Sequence, residues 1–81
     1  MKISDTKMRI LALERIFLNA THKLTLPEIQ EKLRGQYGIT VERKSLYDDI
    51  AALTYFWNIK TEKSNRKFFY YLQKEQHHET N

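Results

Sequence analysis

The 81 residues predict an α+β architecture, three helices followed by a two-stranded ribbon, and three observations carry that expectation. Apolar residues recur at helical spacing through most of the chain, a Thr-Leu-Pro-Glu helix start stands among them, and the period changes to strand alternation after Trp57. Hydrophobic residues make up 41% and charged ones 30%, a balance that suits one compact soluble core and leaves no room for a second. Residues 1–74 are therefore expected to form one domain and 75–81 a polar C-terminal tail.

The first helix is expected from Ser4 or Asp5 to about Ala20. Met8, Ile10, Leu11, Leu13, Phe17 and Ala20 would form its broad apolar side, with Lys7, Arg9, Glu14 and Asn19 polar and Lys7, Arg9 and Arg15 solvated. After the connector "THK", Thr25 can cap a second helix. Glu28 completes a capping box and Pro27 falls in the first turn, where its missing N–H costs little. Leu26, Ile29 and Leu33 give this helix its buried stripe, and "GQYG" ends it, with Gly35 and Gly38 available for a cap and a tight turn.

The third helix is expected from Glu42 or Arg43 to about Tyr55. Leu46, Ile50 and Leu53 form its inward side. That phase turns Lys44, Asp48 and Ala51 outward, places Arg43 and Tyr47 on flanks that a neighbouring surface can reach, and leaves Asp49 at the core margin. Asn58 then suits a left-handed helix end, and "NIKT" and "RKFFYYLQ" read as strands around a turn at "EKSN". Phe68, Tyr70 and Leu72 would face one way, Phe69 and Tyr71 the other, so the second face calls for a third short strand, a dimer partner or the tail.

Several classes are excluded or disfavoured. With no cysteine there are neither disulfides nor thiolate metal sites, and the chain suits a cytoplasmic setting. "MKISDTKMRI" lacks the apolar run of a signal peptide, and nothing approaches a membrane span, so no membrane partner is expected. Adjacent His77 and His78 read as exposed, no cofactor signature is present, and the neighbouring Asp48 and Asp49 diverge on a helix, so no catalytic pair forms. The net charge of +4 favours a polyanion.

Three helices and a ribbon in this order form a winged helix-turn-helix, whose third helix can enter a major groove with its N-terminal residues nearest the base edges. Arg43, Lys44, Ser45 and Tyr47 are the candidate contacts there, by guanidinium, ammonium, hydroxyl and phenol. Lys44 and Asp48 can pair on the helix surface, which leaves that helix little net positive charge. Lys60, Lys63, Arg66 and Lys67 on the wing, against Glu62, supply the larger attraction to phosphate.

The segment "YGITVERKSLYDDIAAL" resembles the turn and recognition helix of the N-terminal winged helix-turn-helix domain of bacterial WYL-type transcriptional regulators, akin to the DeoR-like class. "KFFYYL" resembles that family's second wing strand, and the likeness runs from about Met8 through Leu72. It implies a DNA-facing role for Arg43, Lys44, Ser45 and Tyr47 and a supporting one for Leu46, Asp49, Ile50 and Leu53. Asp48 stands where many relatives carry a basic residue, and neither the helix end near Trp57 and Asn58 nor the wing turn has the usual glycine. The sensor and oligomerisation domain that follows in those regulators has no counterpart here. Both an excised DNA-binding domain and a small phage, plasmid or cassette protein fit that expectation.

The expected function is double-stranded DNA binding in transcriptional regulation, with a homodimer on an inverted repeat to compensate for a single module burying only about 600–1,000 Å². The alternative is a winged-helix protein-interaction module, such as a small inhibitor or adaptor, in which aromatics contact a protein partner. RNA binding lacks its usual signatures, and the net charge has the wrong sign for a DNA mimic.

Overall fold

Local chemistry fixes the middle of the chain first. In the computed structural model, which describes residues 5–73, α2 spans Leu26–Tyr37 behind a complete capping box. The Glu28 backbone N–H donates to Thr25 Oγ1 at 3.3 Å, and the Thr25 N–H donates to Glu28 Oε1 at 2.9 Å. At the other end Gly38 adopts φ 67°, a left-handed value that glycine reaches without a Cβ penalty. That turn lets the N–H groups of Gly38 and Ile39 reach the carbonyls of Arg34 and Leu33. Gly35, offered as a cap by the sequence, lies inside the helix.

The first helix, α1, covers Asp5–Asn19, and Ser4 falls outside the described residues. Its buried stripe is Ala12, Leu13, Ile16 and Phe17. Met8 and Leu11, expected inward, are exposed: the apolar residues of α1 spread around most of its circumference, and packing on α2 and α3 selects one phase. Arg9 is also a correction. It is drawn onto Asp49 of the third helix and is not a solvated side chain.

The third helix, α3, runs Arg43–Leu53 and buries Leu46, Ile50 and Leu53 as expected, with Asp49 beside them. It stops at Leu53 because the backbone tightens into successive turns: Phe56 and Trp57 both donate to the Leu53 carbonyl, and the Thr54 hydroxyl caps the Ala51 carbonyl at 2.6 Å. Asn58 is not left-handed, since a tight chain of turns through Trp57 already reverses direction. Trp57 Nε1 donates to Glu14 Oε2 at 2.6 Å, fastening this corner to α1.

The ribbon is β1, Ile59–Ser64, antiparallel to β2, Lys67–Leu72. Ser64 pairs with Lys67, so the turn is Asn65-Arg66 alone, both with positive φ, and not the longer "EKSN". This two-residue geometry matches the right-handed twist of the strands. Register places Ile59, Thr61 and Lys63 on the face of Leu72, Tyr70 and Phe68. Along that face burial fades outward, from buried Tyr70 to Phe68, which is 49% exposed near the tip. The sheet also gains an edge residue. Leu24, in the connector between α1 and α2, exchanges two backbone hydrogen bonds with Tyr70 at 2.8 and 2.6 Å. The third strand anticipated from the sequence is this single residue, at the edge of β2 and not across its outer face.

The core lies where all these elements meet, with Leu13, Leu24, Ile29, Leu33 and Leu46 fully enclosed. No helix among the described residues is long and apolar enough to cross a membrane. The expected tail at 75–81, with His77 and His78, lies outside the described residues.

Candidate nucleic-acid interface

The anchoring of α3 from beneath decides which of its side chains are presented. Arg43, Lys44, Tyr47 and Asp48 are exposed, whereas Ser45 is half-buried. Beside the N-terminal turn of α3, the start of α2 and the tip of the hairpin enclose a groove of about 380 Å³. Arg43 and Tyr47 line it from α3, Arg66, Lys67 and Phe68 from the hairpin, and Thr25, Leu26 and Pro27 from α2. Guanidinium, ammonium and phenol groups from two sequence-distant elements thus converge on one open cleft.

Of the remaining expected contacts, Lys63 stands with its ammonium 5.6 Å from the Phe68 ring centroid, next to the groove. Lys44 is on the outward side of α3, and Lys60 is opposite Tyr71 on the other face of the hairpin; neither lines the groove. Sequence reading missed Thr25, Leu26, Pro27 and Phe68 as groove residues. The first three were legible as a helix start, but only the tertiary placement of the hairpin makes that start one wall of a cleft.

The electrostatics also differ from the expectation in two useful ways. Asp49, 4% exposed, is neutralised by Arg9, whose guanidinium donates to both carboxylate oxygens, the Nη2 bond being 3.2 Å. That pairing holds the Arg9 pKa above its ordinary value against the opposing effect of burial. Glu62 is taken by Lys23, whose ammonium lies 2.5 Å from Oε1 and 4.6 Å from the Tyr71 ring centroid. The Glu62 hydrogen bond is the main cause of the raised Lys23 pKa. The hairpin's one acid is therefore answered from outside the hairpin. Among the described residues no carboxylate pairs with Lys60, Lys63, Arg66 or Lys67, nor does Lys44 pair with Asp48.

On the α3 surface Glu42 and Asp48 offset Arg43 and Lys44, so the hairpin provides the net positive field. Tyr70 ties the hairpin to the helix. Burial first, and the neighbouring Tyr47 phenol second, raise the pKa of its hydroxyl, while Arg43 acts in the opposite direction. The Tyr70 phenol therefore stays protonated and able to donate near neutral pH. Among the described residues no group of three or more His, Cys, Asp or Glu side chains is placed to hold a metal ion.

Set against known proteins, the chain matches no family model, no curated protein and no solved structure.

Proposed function

We propose that the chain is a winged helix-turn-helix that binds double-stranded DNA and acts in transcriptional regulation, by occupying a site and breaking no covalent bond. The observation that carries this reading is the shared groove: Arg43 and Tyr47 of α3 face the same cleft as Arg66 and Lys67 of the hairpin. In this arrangement α3 enters the major groove, the hairpin tip lies along the flanking minor groove, and the phosphate strand between them runs through the cleft. Arg43 and Tyr47 then read base edges, while Lys63, Arg66 and Lys67 hold phosphates. Lys44 and Lys60 add to the field at the margins. The likeness of "YGITVERKSLYDDIAAL" to WYL-type regulators points the same way.

The test begins with selection from a randomised duplex library and continues with mobility shifts in a salt series. Arg43→Ala and Tyr47→Ala should weaken the selected site by about ten-fold or more and a scrambled duplex far less. Lys63→Ala and Arg66→Ala should weaken both duplexes alike and flatten the salt dependence by about 0.9 in log–log slope for each phosphate no longer neutralised. Four variants with unchanged affinity, folded by circular dichroism, would refute the reading.

A second reading rests on a different observation. Tyr55 and Phe56, just beyond the C-terminal end of α3, are 87% and 84% exposed. Adjacent aromatics presented in this way suit a protein partner. Binding through them would resist added salt, unlike binding to a duplex.

A further inference from the structure

The direction in which Arg43 and Tyr47 point depends on how α3 is rotated about its own axis, and the groups that set this angle are on its other side. Leu46, Ile50 and Leu53 set the phase of α3 by apolar contact, which has little directionality and defines the last few degrees of rotation weakly. Asp49 is held differently. It is the buried charged residue among the described ones, and Arg9 of α1 engages both of its oxygens. A guanidinium on a carboxylate is a planar fork, so it resists small rotations more sharply than non-directional apolar contact does. The other polar restraints are single contacts without a fork: Gln30 Nε2 donates to the Val41 carbonyl at 3.0 Å just before the helix, and the Tyr70 phenol meets that of Tyr47, while Glu42 at the N-cap makes no side-chain capping bond.

We infer that Arg9 and Asp49 are positioning residues for sequence selection: their fork fixes the rotation of α3 and so decides which base edges Arg43 and Tyr47 reach. The inference rests on the duplex-binding reading above. On a regular helix Arg43 and Tyr47 lie about 120° and 160° around the axis from Asp49, at a radius of about 6 Å. A rotation of about 10° therefore carries them sideways by about 1 Å, more than the roughly 0.5 Å that a precise contact tolerates. Long Lys and Arg side chains on the hairpin absorb such a shift against phosphates. Loosening the fork thus costs discrimination and spares general affinity.

A purely stabilising ion pair behaves otherwise. Replacing such a pair by apolar residues of similar volume is often neutral or stabilising, so Arg9→Met with Asp49→Leu keeps the packing while removing the fork. The experiment compares the full chain with this double variant, measuring dissociation constants for the selected duplex and a scrambled one at a single salt concentration, with thermal melts alongside. The expected result is a melt at or above that of the parent, scrambled-duplex affinity within two-fold, and a selected-to-scrambled ratio lowered by at least ten-fold. A folded double variant that keeps the parent's ratio overturns the inference. Should it fail to fold, Asp49→Asn, which keeps the shape and one acceptor oxygen, takes its place with the same criterion. A parent chain that binds no duplex refutes the proposed function alone. Residual dipolar couplings of the Arg43–Leu53 amides, referred to α2, then decide separately: the variant should show α3 rotated by about 10° or more or averaged over that range, and unchanged couplings overturn the positioning role.

Discussion

Arg66 occupies a backbone position that an arginine leaves readily. Its φ is 65° and that of Asn65 is 53°, so the hairpin closes with two successive left-handed residues. Asparagine tolerates this conformation, but a long L side chain pays about 1–2 kcal/mol for it, and glycine avoids the clash. Arg66→Gly should therefore relieve the turn. Part of the gain returns to the unfolded chain as added flexibility, which leaves a net stabilisation of about 0.5–1 kcal/mol. In a chain of this length that corresponds to a melting temperature higher by about 3–6 °C. The same change removes a cation from the groove wall, so affinity for every duplex should fall several-fold and the salt slope should flatten by about 0.9. Arg66→Ala is the control: it loses the cation and keeps the strained φ, so it should bind as poorly without melting higher. Calorimetry and salt-series mobility shifts read both effects. If Arg66→Gly melts no higher than Arg66→Ala the strain argument is wrong, and if both retain the parent's salt slope Arg66 does not meet phosphate.

The capping box should be visible in acid. The Thr25 backbone N–H, with a smaller contribution from His22, holds the Glu28 carboxyl below its ordinary pKa, so the unfolded chain takes up a proton first as pH falls. The stabilisation is complete above about pH 5 and is lost as pH drops through the ordinary carboxylate range near 4.3 and below. The gap in denaturant midpoint between the parent and Glu28→Gln should therefore narrow from pH 6 towards pH 3, and a constant gap would argue against an ionised cap. Glu62→Gln removes the carboxylate that Lys23 engages at the edge of the hairpin. It should raise duplex affinity about two- to three-fold at low salt and by less as salt is added. Stability should change little, because the pair is exposed and screened by solvent. No rise at low salt would place Glu62 outside the field that a duplex feels.

What could be read from the sequence was mainly local chemistry. Thr25, Pro27 and Glu28 announce a helix start within four positions, Gly38 announces its end, and Leu46, Ile50 and Leu53 leave one phase for α3. The outward placement of Arg43, Lys44 and Tyr47 follows from that phase. On α1 the signal failed because Met8, Ile10, Leu11, Leu13, Ile16, Phe17 and Leu18 populate several sides, and periodicity alone cannot rank Leu11 against Ala12. Pairs such as Arg9 with Asp49 and Lys23 with Glu62 join residues about half the chain apart. No local spacing rule reaches that far, and Arg9 looked like any other helical cation. The turn was misplaced for a physical reason too: glycine marks left-handed turns, and this one is built from Asn65 and Arg66. The groove itself was beyond reach, since its walls come from α2, α3 and the hairpin.

The bridge between Leu24 and Tyr70 has a consequence for the order of biosynthesis. Leu24 is fully enclosed, and its backbone N–H and carbonyl find their partners only in β2, near the C-terminal end of the described residues. A ribosome adding residues from the amino end delivers all three helices before that partner exists. The emerging polypeptide then carries a vacant peptide edge at its centre, and a product cut short before Tyr70 would keep it vacant and prone to pair with other chains. The peptide edge at Leu24 is thus closed late, by backbone that leaves the ribosome after all three helices.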